Sequence, residues 1–257
     1  MIWKLEYKET YENIQVEGFS TSGENCKAYL ANRVSSKITE ADSSEQLRSH
    51  LAELETTGFN SGELFAQTID SQLHVKDWEI GEAIAETVLE DEHEAMFPWE
   101  TGWDKRTLKA NLPGADIVGF QHKKAPRFIF GQVKSSSETR VPPQIINSSN
   151  DCLKNQMHHL LHKPSERMQL IAWLLLRVKG TDWMSAFKEA LENYAQKDYC
   201  IVGVLVSGGR TANPKDLTGI CTDIQHTNKE CDMSLLGYYL PLDKEEWHRL
   251  LQRREVS

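Results

Sequence analysis

Residues 199–206 read YCIVGVLV, an unbroken apolar run rich in β-branched side chains. A run of this kind forms a strand buried on both faces, and such a strand needs a cover on each side of its sheet. The neighbouring segments have the periodicity to supply one. In residues 77–92, DWEIGEAIAETVLEDE, the side chains Ile80, Ala83, Ile84, Thr87 and Val88 recur at helical spacing and build one buried stripe, with Glu82, Glu86 and Glu90 on a different face. Residues 115–121 (ADIVGFQ) and 127–134 (RFIFGQVK) pattern as two strands, and the intervening HKKAP, with its lysine pair and proline, suits a hairpin turn. Three helices follow over 151–162, 165–178 and 182–196, the last opening on Asp182 as its cap. Residues 234–240 give a second strand, and 243–253 a closing helix whose basic residues gather at its C-terminal end, as the helix dipole favours. Helix, two strands, helices, strand predicts an α/β fold with a mixed central sheet flanked by helices.

Residues 1–76 carry no chemical motif. A strand-like start (MIWKLEY) leads into Ser-, Thr- and Glu-rich sequence, with a helical pattern over 43–54. This segment reads as an acidic N-terminal extension or subdomain ahead of a domain over 77–257. No signal-peptide pattern opens the chain, and its longest apolar run, residues 170–176, is far short of the ~20 residues that span a bilayer. The five cysteines are odd in number and form no CxxC pair, which reads as free thiols in a reducing cytoplasm.

The formal charge of −9 argues against a protein that coats nucleic acid or anionic membrane by bulk charge. It is unevenly spread. Residues 1–103 hold 7 Lys and Arg against 21 Asp and Glu, a net of −14. Residues 104–140 hold 8 against 3, a net of +5, and residues 141–257 are balanced at 14 each. The positive charge is therefore concentrated in one short stretch.

Inside that stretch lies PGAD, ending at Asp116, then 15 residues, then Gln132-Val133-Lys134. A strand alternates its side chains, so Gln132 and Lys134 share a face, and Asp116 joins them if the hairpin pairs in register. The preceding helix offers Glu82 to the same corner, with Glu86 one turn on as the other candidate acid. Carboxylate and amide oxygens suit a hard cation such as Mg²⁺, and a lysine beside them suits an attacking hydroxide or the charge developing on a phosphate. In the plain alternative, Asp116 caps a strand entrance and Gln132 and Lys134 decorate an edge. Against it, Gln132 and Lys134 break an otherwise hydrophobic run, and buried polar groups need partners.

The helix GEAIAETVLE, the strand start PGADIVGF and the strand FGQVKSS together resemble the PD-(D/E)xK superfamily of restriction-endonuclease-like nucleases, in the QxK variant where glutamine replaces the second acid. The resemblance covers about half the chain. It implies a restriction-endonuclease-like core over 77–206, built as helix, three or four strands, helix, strand. It implies that Asp116, Gln132 and the carbonyl of Val133 ligate Mg²⁺ or Mn²⁺, that Lys134 positions the water nucleophile, and that Glu82 completes the metal shell or orients that water. The activity implied is phosphodiester hydrolysis on DNA. By the same resemblance the chain is an effector of a bacterial anti-phage system of the Hachiman kind, acting beside a helicase or ATPase partner. The competing expectations are a non-catalytic subunit that keeps the nuclease fold to bind DNA or that partner, and an RNA-directed enzyme.

Lys105, Arg106, Lys109, Lys123, Lys124 and Arg127 are the candidates for neutralising phosphates around the cut. Trp99 and Trp103 either stack on bases or pack in the core, and Gln156 and His159 on the following helix are candidate auxiliary residues. His158 and His162 have a zinc-compatible i, i+4 spacing without an HExxH arrangement, and Cys221, His226 and Cys231 are spaced loosely for a finger. SGGR, residues 207–210, follows a buried strand and offers backbone N–H groups to a phosphate. No GxxxxGK[ST] motif occurs in the chain. The acidic extension is expected either to hold the basic site closed or to dock on the partner.

Overall fold

The computed structural model describes residues 2–38, 76–99, 114–148, 150–225 and 231–252. Their strands are β1 (Lys4–Tyr11), β2 (Ile14–Ser20), β3 (Ala95–Met96), β4 (Ile117–His122), β5 (Pro126–Ser136), β6 (Cys200–Gly208) and β7 (Asp232–Leu240). The helices are α1 (Gly23–Tyr29, continuing through a π-helical Leu30–Val34 into Ser35–Ile38), α2 (Asp77–His93), α3 (Gln144–Asn147), α4 (Leu153–His162), α5 (Pro164–Val178), α6 (Met184–Ala195), α7 (Thr218–Gln225) and α8 (Lys244–Gln252). All seven strands join one sheet in the order β1-β2-β7-β6-β5-β4-β3. The β5, β6, β7 and β2 neighbours run parallel, while β4 on β5, β3 on β4 and β1 on β2 are antiparallel. The fold is thus α/β around a mixed sheet.

Burial explains why β6 holds the centre: all nine of its residues are buried, as its continuous apolar sequence requires. Its neighbour β5 is covered on both sides. Phe128 and Phe130, on one face, pack against Phe187 and Tyr194 of α6, and Met157 of α4 lies over Gly203 on the same side. On the other face α2 presses so closely that a Cβ on Gly81 would lie 2.9 Å from the Cβ of Ser135. The stripe Ile80, Ala83, Ile84, Thr87 and Val88 is buried as its spacing implies. Glu79 closes the start of α2 by accepting the backbone N–H of Lys76 at 2.8 Å, and Glu94, in the left-handed region at φ 54°, ends it.

Several expectations shift. Residues Lys4–Ser20 do not stand apart from the rest: they form a hairpin whose second strand pairs with β7, with Ile14 and Val16 fully buried. The helical pattern over 43–54 lies outside the described residues. Asp182 does not cap α6. Trp183 holds the N-cap position with no side-chain cap, and the turn before it is closed by Thr181, whose carbonyl accepts from Met184. Likewise α4 begins at Leu153 rather than Asp151, and the Asp151 carboxylate is used elsewhere.

Candidate functional site

The antiparallel pairing of β4 with β5 runs from His122↔Pro126 to Ile117↔Gly131, and β5 then continues for five more residues. Asp116 extends the register by one step, donating its backbone N–H to the Gly131 carbonyl at 3.0 Å, which sets it across from Gln132. Its carboxylate completes the pairing: Oδ2 accepts the backbone N–H of Val133 at 2.8 Å. That N–H faces the edge that β4 has left, so a side chain satisfies it in place of a strand. Gly114, at φ +76°, turns the chain so that its carbonyl accepts Gln132 Nε2 at 2.6 Å. Gln132 is only 2% exposed, and its Oε1 is buried with no hydrogen-bond partner among the described residues. Such a buried oxygen is costly unless something else meets it.

Lys134 lies two residues on, on the same face of β5. Its Nζ stands 3.4 Å from Oδ2 of Asp151, whose other oxygen accepts from Gln156 Nε2. The structure therefore brings Asp116, Gln132, Lys134 and Gln156 to one end of the hairpin and adds Asp151. Glu166 of α5 is a further acid nearby, since a Cβ on Gly114 would lie 3.7 Å from its Oε2, and it pairs with Lys163 at 3.1 Å. Neither acid was legible in the sequence. Asp151 follows the QxK strand across a loop of no fixed spacing, and Glu166 reads as the first-turn acid of a helix.

The helix acids divide. Glu86, expected on the polar face of α2, is 2% exposed, and its Oε2 accepts the indole N–H of Trp99 at 3.4 Å. Glu82 keeps partial exposure but follows Gly81, which seats α2 against Ser135 on the side of β5 away from Gln132 and Lys134. Trp99 packs in the core against Phe97 and Trp173, with ring centroids 5.6 and 5.4 Å away. Base stacking by Trp99 is thereby replaced by packing, and Trp103 lies outside the described residues.

Among the described residues, the basic candidates do not gather at this end of the hairpin. Lys105, Arg106 and Lys109 lie outside the described residues. Lys123 and Lys124 are exposed at the β4–β5 turn. Arg127 is seven residues before Lys134, about 23 Å at ~3.3 Å per residue. Arg127 is also 5% exposed, and its guanidinium donates to Gln121 at 3.1 and 2.8 Å, Asp198 at 3.1 Å and Asp232 at 2.7 Å. Burial works against its charge, but the bonds to Asp232 and Asp198 outweigh that and hold its pKa above the ordinary value. Burial likewise opposes ionisation of Asp232, and the bonds to Arg127 and Lys123 prevail, holding that carboxyl below its ordinary range. Arg127 is a structural cation, because its donors are spent inside the protein. A cavity of about 410 Å³ opens at this far end, between Glu12, Glu92, Glu94, Lys123 and Arg127, away from Asp116 and Lys134.

The rival sites give little. Among the described residues no group of three His, Cys, Asp or Glu is placed to hold a metal ion. The rings of His158 and His162 lie 4.2 Å apart, and burial, then His162, lowers the His158 pKa. His159 is exposed. All five cysteines, Cys221 and Cys231 included, are buried, and none of them forms a disulfide. The SGGR loop is filled by its own protein: a Cβ on Gly208 would meet the Leu242 carbonyl at 2.8 Å, and Arg210 forks onto Asp216 at 3.0 Å while donating to the carbonyls of Glu138 and Arg140. Among the described residues no helix is long and apolar enough to cross a membrane.

One acid and one amide at a strand end match the way Mg²⁺ is usually held, by one or two protein oxygens with the remaining positions left to water and substrate. The Gln132 Oε1 beside the Asp116 position, without a partner among the described residues, is what such an ion would meet, so the residues present fit it. Fold and site together define an α/β protein with a polar cluster of Asp, Gln and Lys at the open end of a β-hairpin. No known protein-family model and no curated protein matches the chain.

Proposed function

We propose that this chain is a metal-dependent DNA nuclease with a restriction-endonuclease-like core, hydrolysing phosphodiester bonds at the open end of the β4–β5 hairpin. The observation that carries the reading is the meeting of Asp116, Gln132 and Lys134 there, with a buried oxygen on Gln132 that has no partner among the described residues. The order α2, β3, β4, β5, helices, β6 supports it, since this is the helix, three strands, helix, strand order of the resembled core. Asp116 and Gln132 Oε1 are the side-chain oxygens that would hold Mg²⁺ or Mn²⁺, and the bound ion would supply a water of lowered pKa and charge for the phosphate. Val133 fixes the Asp116 carboxylate by its N–H, so that oxygen is oriented before any substrate arrives. Lys134 offers its ammonium to the charge that develops on the phosphoryl oxygens. Recruitment by a helicase or ATPase, as an anti-phage effector, rests on the resemblance and on the absence of a nucleotide-binding GxxxxGK[ST] loop in the sequence.

A non-catalytic subunit of the same fold is the second reading. It is favoured by the engagement of Glu86 with Trp99, which withholds one of the two helix acids. Incubating the chain with linear and circular DNA in Mg²⁺, Mn²⁺ or EDTA separates the two. The nuclease reading expects metal-dependent cleavage that Asp116→Ala and Lys134→Ala each reduce by about two orders of magnitude or more. Cleavage that survives both substitutions removes the proposed site, and no cleavage of DNA or RNA, alone or with the partner, favours the binding subunit.

A further inference from the structure

Asp151 has an unusual combination of properties for a surface acid. Its side chain is 81% exposed, yet both carboxylate oxygens are engaged, one by Lys134 Nζ at 3.4 Å and the other by Gln156 Nε2. Lys134 is only 16% exposed, so the carboxylate sits on the solvent side of a lysine that is otherwise largely enclosed. Gln156 contributes its Nε2 at a cost, because its Oε1 is left buried without a partner among the described residues. An ammonium and an amide NH₂ converging on the two oxygens of one anion is a seat for an oxyanion. A phosphate presents paired oxygens of the same kind.

We propose that Lys134 and Gln156 form a phosphate-binding seat and that Asp151 is its resident anion, which a substrate phosphate must displace. This deepens the nuclease reading and rests on it for the identity of the phosphate as a phosphodiester. The pair is well suited to exchange, since an ion pair with one so exposed member contributes little net stability. Asp151 therefore guards the lysine without locking it: a weakly held phosphate is turned away, and one held by further contacts takes the seat.

The test is binding without turnover. Inorganic phosphate, and separately a short DNA duplex in EDTA, are titrated into the wild type, Asp151→Asn, Asp151→Asn/Lys134→Ala and Asp151→Asn/Gln156→Ala. Asp223→Asn serves as a charge control, because Asp223 is an exposed acid paired with Lys154 at 2.9 Å. Asp151→Asn is expected to tighten phosphate about fivefold, the size of an exposed pair released. That gain is expected to vanish in both double variants and to be absent in Asp223→Asn. Unchanged or weaker binding by Asp151→Asn, or a gain that persists without Lys134, overturns the proposal. Loss of cleavage in Asp116→Ala and Lys134→Ala with no phosphate gain in Asp151→Asn sinks the seat and leaves the nuclease standing. A phosphate gain through Lys134 and Gln156 in a chain that cleaves nothing keeps the seat and sinks the nuclease.

Discussion

The backbone N–H of Val133 donates to the Asp116 carboxylate at 2.8 Å, so one side chain both ends the β4–β5 pairing and arms the open end of the hairpin. Structure and chemistry can be separated there by substitution. Asp116→Ala leaves a strand N–H without its acceptor, a loss of about 1–3 kcal/mol. Asp116→Asn keeps an oxygen for Val133 and is expected to cost less than ~1 kcal/mol. Both are expected to abolish metal-dependent cleavage. Urea unfolding read beside a cleavage assay checks this, and an active Asp116→Asn removes the carboxylate from the chemistry.

Gln132 offers a direct probe of the cation. In Gln132→Glu a charge is buried, and an oxygen replaces the NH₂ that bonds the Gly114 carbonyl. Without metal the variant is expected to lose about 2–4 kcal/mol. Millimolar Mg²⁺ is expected to restore most of that, because an ion that binds only the folded state stabilises it by mass action. Thermal melts with and without Mg²⁺ measure the effect. A Tm that ignores Mg²⁺ in the variant means that no cation is held between Asp116 and residue 132.

Gly81 tests how closely α2 must approach β5. Alanine in a helix interior normally gains about 1 kcal/mol over glycine. Here the added Cβ would lie 2.9 Å from Ser135 Cβ, so Gly81→Ala is expected to destabilise by about 1–3 kcal/mol instead. Ser135→Gly in the same chain is expected to recover much of the loss. Chemical denaturation of the two single variants and the double variant gives the coupling directly, and additive effects would place the strain elsewhere.

The elements legible in the sequence are those whose patterns are set by local burial. Residues 199–206 are apolar because β6 is covered on both faces, and the stripe on α2 is helical because one side is buried. The strand β2 was hidden for a physical reason. Its inward positions are Ile14, Val16 and Gly18, and the last is glycine because the Tyr7 ring lies over it, where a Cβ would come within 2.1 Å. Three inward positions, only two of which carry a side chain, make a faint alternation. Of the candidate site, the hairpin and the shared face of Gln132 and Lys134 followed from strand periodicity. For Arg127, closeness in sequence to Lys134 is not closeness in space: β5 carries Arg127 to one end and Lys134 to the other. Asp151 reached Lys134 only through the tertiary packing of α4 on β5, which no spacing encodes.

Arg127 turns that correction into a measurement. Replacing it by Met keeps the stem and removes the donors to Gln121, Asp198 and Asp232. Breaking a buried charge network from one side costs about 3–5 kcal/mol. Asp198 and Asp232 are themselves 58% and 49% exposed, so about 2–3 kcal/mol is expected here. The DNA affinity of the folded fraction is expected to stay within twofold of wild type. A selective loss of DNA binding without a loss of stability would return Arg127 to the nucleic-acid interface.

His93 gives the protein a pH dependence unconnected with the site. Its half-buried ring packs beside Phe19 and meets the Tyr238 hydroxyl at 2.6 Å, and desolvation lowers its pKa below the ordinary 6.5, against the opposing pull of Glu17. The unfolded chain therefore binds the His93 proton at a higher pH than the folded one does. Between the two pKa values the unfolded state holds more protons, so stability rises with pH across that window and falls as the solution is acidified below about 6.5. The urea midpoint of the wild type is expected to drop between pH 7 and pH 5.5, and His93→Gln is expected to flatten that slope while keeping a hydrogen-bonding partner for Tyr238. The slope is large enough to read only if the ring stays neutral in the folded protein. Equal slopes in the two proteins would mean that His93 takes up its proton in place, and that the pH dependence arises from the carboxylates.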